Sequence, residues 1–479
     1  MGMASGAGMR PRVSDVIWSY VGTFFSLGSS FLLLPFLTWF LSAEDLGLWY
    51  VFLAIANLAQ LFEFGFNPAF SRNFVYCLSG AKRLSVEGGG EVHTDGTIDW
   101  HLYRILLRVA KMLYAFISVV VLIAVATLGT AYVVYVSGEL EFNAFVSWII
   151  FIAAIFFNLY FLYVLSNLSG LGDISGENKA KTYSNIARLI VTAAMLLLGF
   201  GLIAASFGYL VQGVLLRMLA KRYIGQHHDV VGGIKADKRK ITKSEVISTF
   251  KAIYPVAGKN GIDQLALFAA TQGTSFVCSL NFTLAETGVY SIGLQFANAI
   301  ATFSFAFSKA YYPAFQSAFI RSDIAEQRRI VGKCLPPFWI VSLFGFIGVQ
   351  FIALPVLQLI KPASVPSWQL FALLGLYVTL LQHHTIFCNF ILSTNRIPFM
   401  WPFVIFSFLG VVLSAVLSGV IGMGLPGLVL GQLLAQALFN NWYWPHFVCA
   451  ELGITYVRLL IQGFKNLIPK SMPMRIGGK

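Results

Sequence analysis

Gly47-Leu48-Trp49-Tyr50, followed by Leu53 and Ala56-Asn57, has a second copy later in the chain. There the residues are Gly288-Val289-Tyr290, Leu294 and Ala297-Asn298, each displaced by 241 positions (288 − 47). A short acidic segment precedes each copy, Ala43-Glu44-Asp45 in one and Ala285-Glu286 in the other. Both later reach Pro-Ala-Phe, at Pro68-Ala69-Phe70 and Pro313-Ala314-Phe315, where the displacement has grown to 245, about one helical turn more. Self-similarity over half a chain marks two units built alike.

What those units are made of follows from composition. Of 479 residues, 57% are hydrophobic and 11% charged, and the mean hydropathy is +0.75. Soluble domains carry about 25% charged residues, so this balance belongs to a bilayer. A spanning helix needs about 20 apolar residues. That ruler places twelve spans near 15–41, 46–76, 108–136, 144–168, 182–200, 202–220, 247–277, 286–318, 334–360, 367–393, 397–420 and 425–448. The first is too long for a signal-peptide core and lacks a small-residue cleavage site.

The net charge of +13 sorts along these spans. With the N-terminus inside, the inside loops hold nearly all of the loop lysines and arginines, including the run Lys235, Lys238, Arg239, Lys240 and Lys243. The outside loops hold one basic residue, Lys361, and five acids, Glu44, Asp45, Glu139, Glu141 and Glu286. This is the positive-inside distribution. It places both termini in the cytoplasm and removes the case for nucleic acid as a partner. The expected organisation is a first six-helix half at 1–222, a linker at 223–246, a second half at 247–450 and a basic cytoplasmic tail at 451–479. Six spans per half is even, so the halves share one orientation about an axis along the membrane normal. The fold expected is an all-α polytopic membrane protein of about twelve helices in two parallel six-helix halves.

Ionisable groups inside a bilayer are costly and mark candidate functional positions. Lys259 and Asp263 stand four apart on the seventh span and share a helix face with Asn260 and Gln264 close by. They are either a charge pair that lets a polar helix cross lipid, or a lysine lining a watery path with a tuning carboxylate. Lys309 and Arg72 are either cavity cations or snorkelling side chains. Arg188 and Arg217 are placed within about two turns of cytoplasmic ends. Glu63 lacks a partner on its own helix and is expected to pair across helices, be protonated, or bind an ion. The many span amides suit a wet cavity for a polar cargo. His383 and His384 are adjacent, which is poor metal-ligand spacing, and the scattered cysteines read as small buried hydrophobes. No cofactor or metal motif is present, and no D-x-D or H-E-x-x-H catalytic spacing occurs.

Several stretches together are familiar. They are Pro35-Phe36-Leu37-Thr38, Glu44-Asp45-Leu46-Gly47-Leu48-Trp49, the Phe-Gly-Phe-Asn-Pro-Ala run at 64–69 and Arg72-Asn73. In the second half they are Tyr254-Pro255, Gly261-Ile262-Asp263-Gln264, Glu286-Thr287-Gly288-Val289-Tyr290-Ser291 and Tyr311-Tyr312-Pro313-Ala314. In order and spacing the chain resembles the polysaccharide transporter family of O-antigen (Wzx-type) flippases, within the multidrug/oligosaccharidyl-lipid/polysaccharide exporter superfamily. The resemblance implies a bacterial inner-membrane protein that turns over an undecaprenyl-diphosphate-linked oligosaccharide by alternating access, in the company of membrane lipids and other polysaccharide assembly proteins. Lys259, Arg72, Lys309 and Arg188 would face the diphosphate, Asn260 and Gln264 the sugars, and Asp263 or Glu63 a coupling ion. The glycine-rich insert near 86–97 departs from the family pattern. A drug antiporter of the same superfamily is the nearest rival. A membrane-bound polysaccharide polymerase or ligase is the more distant one, since the chain lacks a large outside loop.

Overall fold

The computed structural model describes residues 18, 32–78, 80–81, 83–84, 97–138, 141–309, 311–312, 315, 318–319, 321–394 and 396–467, without the side chains of 174, 256–260, 263, 309, 466 and 467. The glycine-rich insert lies almost wholly outside these residues.

The chain is an all-α polytopic membrane protein. Helix α1 covers 32–40, α2 Ala43–Leu61, α3 Phe66–Leu78, α4 Trp100–Ser137 and α5 Phe142–Gly170. Then come α6 (Ile174–Leu197), α7 (Leu202–Gln226), α8 (His228–Ala236), α9 (Lys243–Thr271) and α10 (Gly273–Asn281). Next are α11 (Leu284–Lys309), α12 (Ile324–Ile360), α13 (Trp368–Ser393), α14 (Met400–Val420), α15 (Leu425–Glu451) and α16 (Tyr456–Leu467). Seven helices among the described residues are individually long and apolar enough to cross a bilayer, and the bent pairs α2–α3 and α15–α16 raise this to nine. Helix α6, helix α9 with α10, and α1, the main described part of the first expected span, stand at the positions of the other three. Lipid offers no partner for a free peptide group, which is why helices carry the chain through it.

Contacts divide the chain into two compact units, one of Met1–Phe268 with Phe282–Gly288, the other of Ala269–Asn281 with Val289–Lys479. In the first, the repeated glycines meet. A Cβ built on Gly47 falls 1.8 Å from the Leu284 carbonyl oxygen, and one built on Gly288 falls 3.4 Å from the Gly47 nitrogen. Glycine recurs here because two helix starts touch through their backbones. The hairpin between α6 and α7 closes in four residues because Gly199 (φ 84°) and Gly201 (φ 52°) take left-handed conformations that a side chain would oppose.

The helices add detail to the expected spans, linker and tail. The second span is not one helix but two, α2 and α3, bent by 45°. Helix α6 begins at Ile174, eight residues before the expected 182, because Asp173 caps it by accepting from the Gly176 N–H at 2.8 Å. The linker contains a helix, α8, whose Gly233 lies against the Trp100 ring. The tail contains α16, bent 74° from α15 and folded back onto α12, where a Cβ on Gly463 would sit 2.0 Å from the Gly332 carbonyl oxygen.

The linker is held by ion pairs to the start of α4. Arg104 Nη1 donates to Asp237 Oδ1 at 2.9 Å and to its carbonyl oxygen at 2.6 Å, and His101 Nε2 lies 3.0 Å from Glu245 Oε1. Arg239 bridges Asp237 and Asp99. The Arg239 side chain, opposed by partial burial, holds the Asp237 carboxyl at about 2, below its ordinary 3.8.

Two outcomes follow from these contacts. Gly47→Ala lowers thermal stability in detergent by about 1–3 kcal/mol through overpacking against backbone, whereas Gly288→Ala has a smaller effect; equal losses would contradict the contact. A lowered pKa stabilises the folded form above the unfolded value and ceases to do so as the pH falls through the folded one. Wild type therefore resists proteolysis of the linker better than Asp237→Asn above pH 3.8, and loses that advantage as the pH falls through about 2. An advantage that persists in stronger acid, followed by pepsin cleavage, refutes the ion-pair origin.

Candidate functional site

The sequence Phe62-Glu63-Phe64-Gly65-Phe66-Asn67-Pro68 breaks the helix at the level of Glu63. Phe64 (φ 46°) and Gly65 (φ 69°) both adopt left-handed backbone, and Pro68 then fits the first turn of α3, where its missing N–H costs nothing. The opened amides of α3 need an acceptor. Glu63 Oε1 supplies it to the Asn67 N–H, and also accepts from the Tyr114 hydroxyl at 3.0 Å. Asn67 Oδ1 in turn accepts from Ser166 Oγ at 2.6 Å. Helices α3 and α4 thus meet at one carboxylate, and α5 joins them through Asn67. Glu63 does find its partner across helices, in Tyr114, but it also has one on its own chain that the unbroken-helix reading hid. Gly65 and Pro68, three apart, were the available signal.

Helix α9 packs against this break. Phe64 Cδ1 lies 2.7 Å from a Cβ built on Gly261, and Phe66 stacks on Phe250 with centroids 6.4 Å apart. Positions 259, 260, 263 and 264 are within one turn of Gly261. Helical register sets 259 and 263 about 160° round the axis from Gly261, away from the face that meets Phe64. The side chains of Lys259, Asn260, Asp263 and Lys309 lie outside the described residues. Gln264 is exposed, and so is Arg72, which makes no ion pair with a described residue. Neither is brought to Glu63.

Arg188 is different. It lies 14 residues from Ile174 and 9 from Leu197 along α6. Its side chain is buried, at 8% exposure. Arg188 Nη1 donates to Gln212 Oε1 at 3.2 Å, and Gln212 Nε2 donates to Asn185 Oδ1 at 2.9 Å. The guanidinium carbon sits 5.3 Å from the Tyr209 ring centre. The Tyr209 hydroxyl bonds Gln60, which ties α2 into the cluster. Arg188 Nε has no hydrogen-bond partner, and no carboxylate lies within ion-pair distance among the described residues. A second cation, Arg217, rests 4.0 Å over the Phe161 ring, and its Nε is likewise buried without a partner. A buried guanidinium is costly unless paired, and amides and a ring only partly compensate it. The arrangement is suited to an incoming anion. The sequence marks Arg188 as a candidate and Gln212 and Gln60 only as two of the span amides; Tyr209 escapes it, because an aromatic in an apolar span carries no mark of its ring contact.

Solved transporters share this fold. An inward-facing multidrug resistance MATE family transporter of the MOP superfamily matches with a TM-score of 0.62 at 13% identity, covering 92% of this chain and 98% of its own. The lipid II flippase MurJ, in an inward closed conformation, matches with a TM-score of 0.64 at 12% identity over 94% and 91%. A MOP superfamily transporter from Pyrococcus furiosus matches with 0.56 at 14% identity over 92% and 96%. No family model and no curated protein matches the sequence. At such identities the likeness fixes the fold and leaves the cargo open.

No group of three or more His, Cys, Asp or Glu among the described residues is placed to hold a metal. His383 and His384 are both buried, His383 Nε2 lying 2.9 Å from the Tyr456 hydroxyl and His384 5.6 Å from the Phe403 ring. All five cysteines are buried.

If Glu63 caps the break, Glu63→Gln keeps an acceptor and stays within about 1.5 kcal/mol of wild type, while Glu63→Ala loses about 1–3 kcal/mol. Equal thermal stability of the two variants in detergent rules out the capping role.

Proposed function

We propose that this chain is a flippase for an undecaprenyl-diphosphate-linked oligosaccharide, the repeat unit of O-antigen or a related surface polysaccharide. The observation that carries the reading is Arg188, a buried guanidinium with a spare donor and no carboxylate partner among the described residues, inside a fold shared with a lipid II flippase. A diphosphate is an anion that a guanidinium binds in bidentate fashion. The amides Asn185 and Gln212 already donate and accept in series beside it and suit sugar hydroxyls. In this reading the head group passes through a polar interior while the isoprenoid tail stays in lipid. The bacterial inner membrane, cytoplasmic termini, the repeat halves 1–222 and 247–450 joined by 223–246, and roles for Lys259, Arg72, Lys309, Asn260 and Gln264 belong to the same proposal. So does alternating access driven by an ion gradient through Glu63 or Asp263.

A drug antiporter is the second reading. The shared fold of a multidrug transporter and the carboxylate Glu63 at a helix break favour it. The two readings differ in the charge they need. A cationic drug gains nothing from Arg188, whereas a diphosphate does.

The test is transport of the lipid-linked oligosaccharide by the purified chain in proteoliposomes. Arg188→Gln lowers the rate about tenfold or more, with Arg188→Lys intermediate, because a charge-assisted bond is worth roughly 1.5–3 kcal/mol. Retention of the full rate by a folded Arg188→Gln protein removes the assignment.

A further inference from the structure

The second unit contains a cavity of about 800 Å³ beneath α16, lined by Arg328, Arg458, His446, His383, Trp442 and Tyr456 among others, with no carboxylate in its wall. We propose that it holds the phosphate head group of an anionic phospholipid of the inner-facing interface, separate from any transported cargo.

The position of α16 is the first argument. One face is packed on protein. Leu459 is fully buried, and Gly463 crosses α12 at Gly332 with backbone contact. The Tyr456 hydroxyl accepts from Trp339 Nε1 at 2.9 Å and fixes the start of the helix. The other side carries Val457, Ile461 and Phe464, spaced by four and three, and all three are exposed. A helix bent 74° from a spanning helix, with an apolar stripe free on one side, lies in the membrane interface with that stripe in the acyl region. The cavity it roofs then opens at head-group depth. Trp442 in the wall is exposed and suits the same level.

Charge is the second argument. Neighbouring arginines are neutralised. Arg329 pairs with Glu326 at 2.9 Å and Arg396 with Glu451 at 2.6 Å. Arg328 and Arg458, the two that line the cavity, make no ion pair with a described residue. Arg328 Nε donates to the Leu452 carbonyl at 2.5 Å, which holds the side chain in place with its charge uncompensated.

His383 belongs to the same wall. The indole of Trp339 can only donate, so Tyr456 has its own proton to give to His383 Nε2, and this bond fixes Tyr456 at the rim. Two guanidinium groups without an ion pair among the described residues, around one interfacial cavity with no carboxylate in its wall, match a phosphodiester. Basic pockets between spanning helices on the inner side are known to take anionic head groups.

The experiment is native mass spectrometry of the purified full chain titrated with phosphatidylglycerol, phosphatidylcholine or inorganic phosphate. Phosphatidylglycerol is expected to half-saturate the protein at a concentration about tenfold or more below phosphatidylcholine, and Arg458→Gln to raise it by about tenfold. Lys465→Gln, the same charge change on α16 outside the cavity, leaves it unchanged. Arg328→Gln should act like Arg458→Gln; if it fails to fold for want of the Leu452 bond, the exposed Arg458 carries the test. Equal effects of Arg458→Gln and Lys465→Gln, or equal affinity for the two lipids, overturn the proposal. So does full displacement of the lipid by inorganic phosphate at equal concentration, which would make this a site for free anions.

Discussion

A peptide group that leaves a helix inside a bilayer has no water to turn to, and this chain meets that constraint with its own side chains. At 62–65 the helix opens and Glu63 accepts from the Asn67 amide that the opening exposes. The left-handed Phe64 and Gly65 fit because α9 presents Gly261 to them. Tyr114 and Ser166 then follow from the need to satisfy the carboxylate and Asn67. A bend, a capped half-helix, a buried hydroxyl and a side-chain-free neighbour are thus one solution, and removing any member exposes the others.

Close backbone approach is the second device. Gly47 with Leu284, Gly208 with Thr192, Gly213 with Asn158 and Gly463 with Gly332 each leave no room for a methyl group. Helices in lipid gain little from hydrophobic contrast with their surroundings and rely on such approaches and on polar bridges. At Gly208 and Gly213 the approach draws α5, α6 and α7 together around Arg188, and so the same packing that builds the unit also excludes water from the guanidinium. Burial without a carboxylate among the described residues is what distinguishes this arginine from Arg239 and Arg396, which are paired and exposed.

The sequence made the spans legible because twenty apolar residues in a row leave few alternatives, and the glycine repeat at 47 and 288 marked a real contact. Boundaries failed where polar residues extend helices beyond lipid, as at Ile174–Lys181. Gly65 and Pro68 mark the break near Glu63, which the run of apolar residues over 46–76 conceals. Helix α16 lies within the stretch expected as a basic tail, and its exposed Val457, Ile461 and Phe464 stand among charged residues in the sequence. At the site, single residues could be named but not their company. Tyr209 beside Arg188 and Tyr114 beside Glu63 are long-range contacts, and nothing in a single sequence records which helices adjoin.

The central claim is that the interior of α5, α6 and α7 holds an anionic diphosphate at Arg188. Photo-crosslinking tests it most directly. An undecaprenyl-diphosphate oligosaccharide bearing a photoreactive group next to the diphosphate should label peptides that contain Asn185–Arg188 and Tyr209–Gln212, and excess unlabelled lipid should suppress the labelling. Labelling confined to lipid-facing residues elsewhere, or unaffected by competitor, would contradict it.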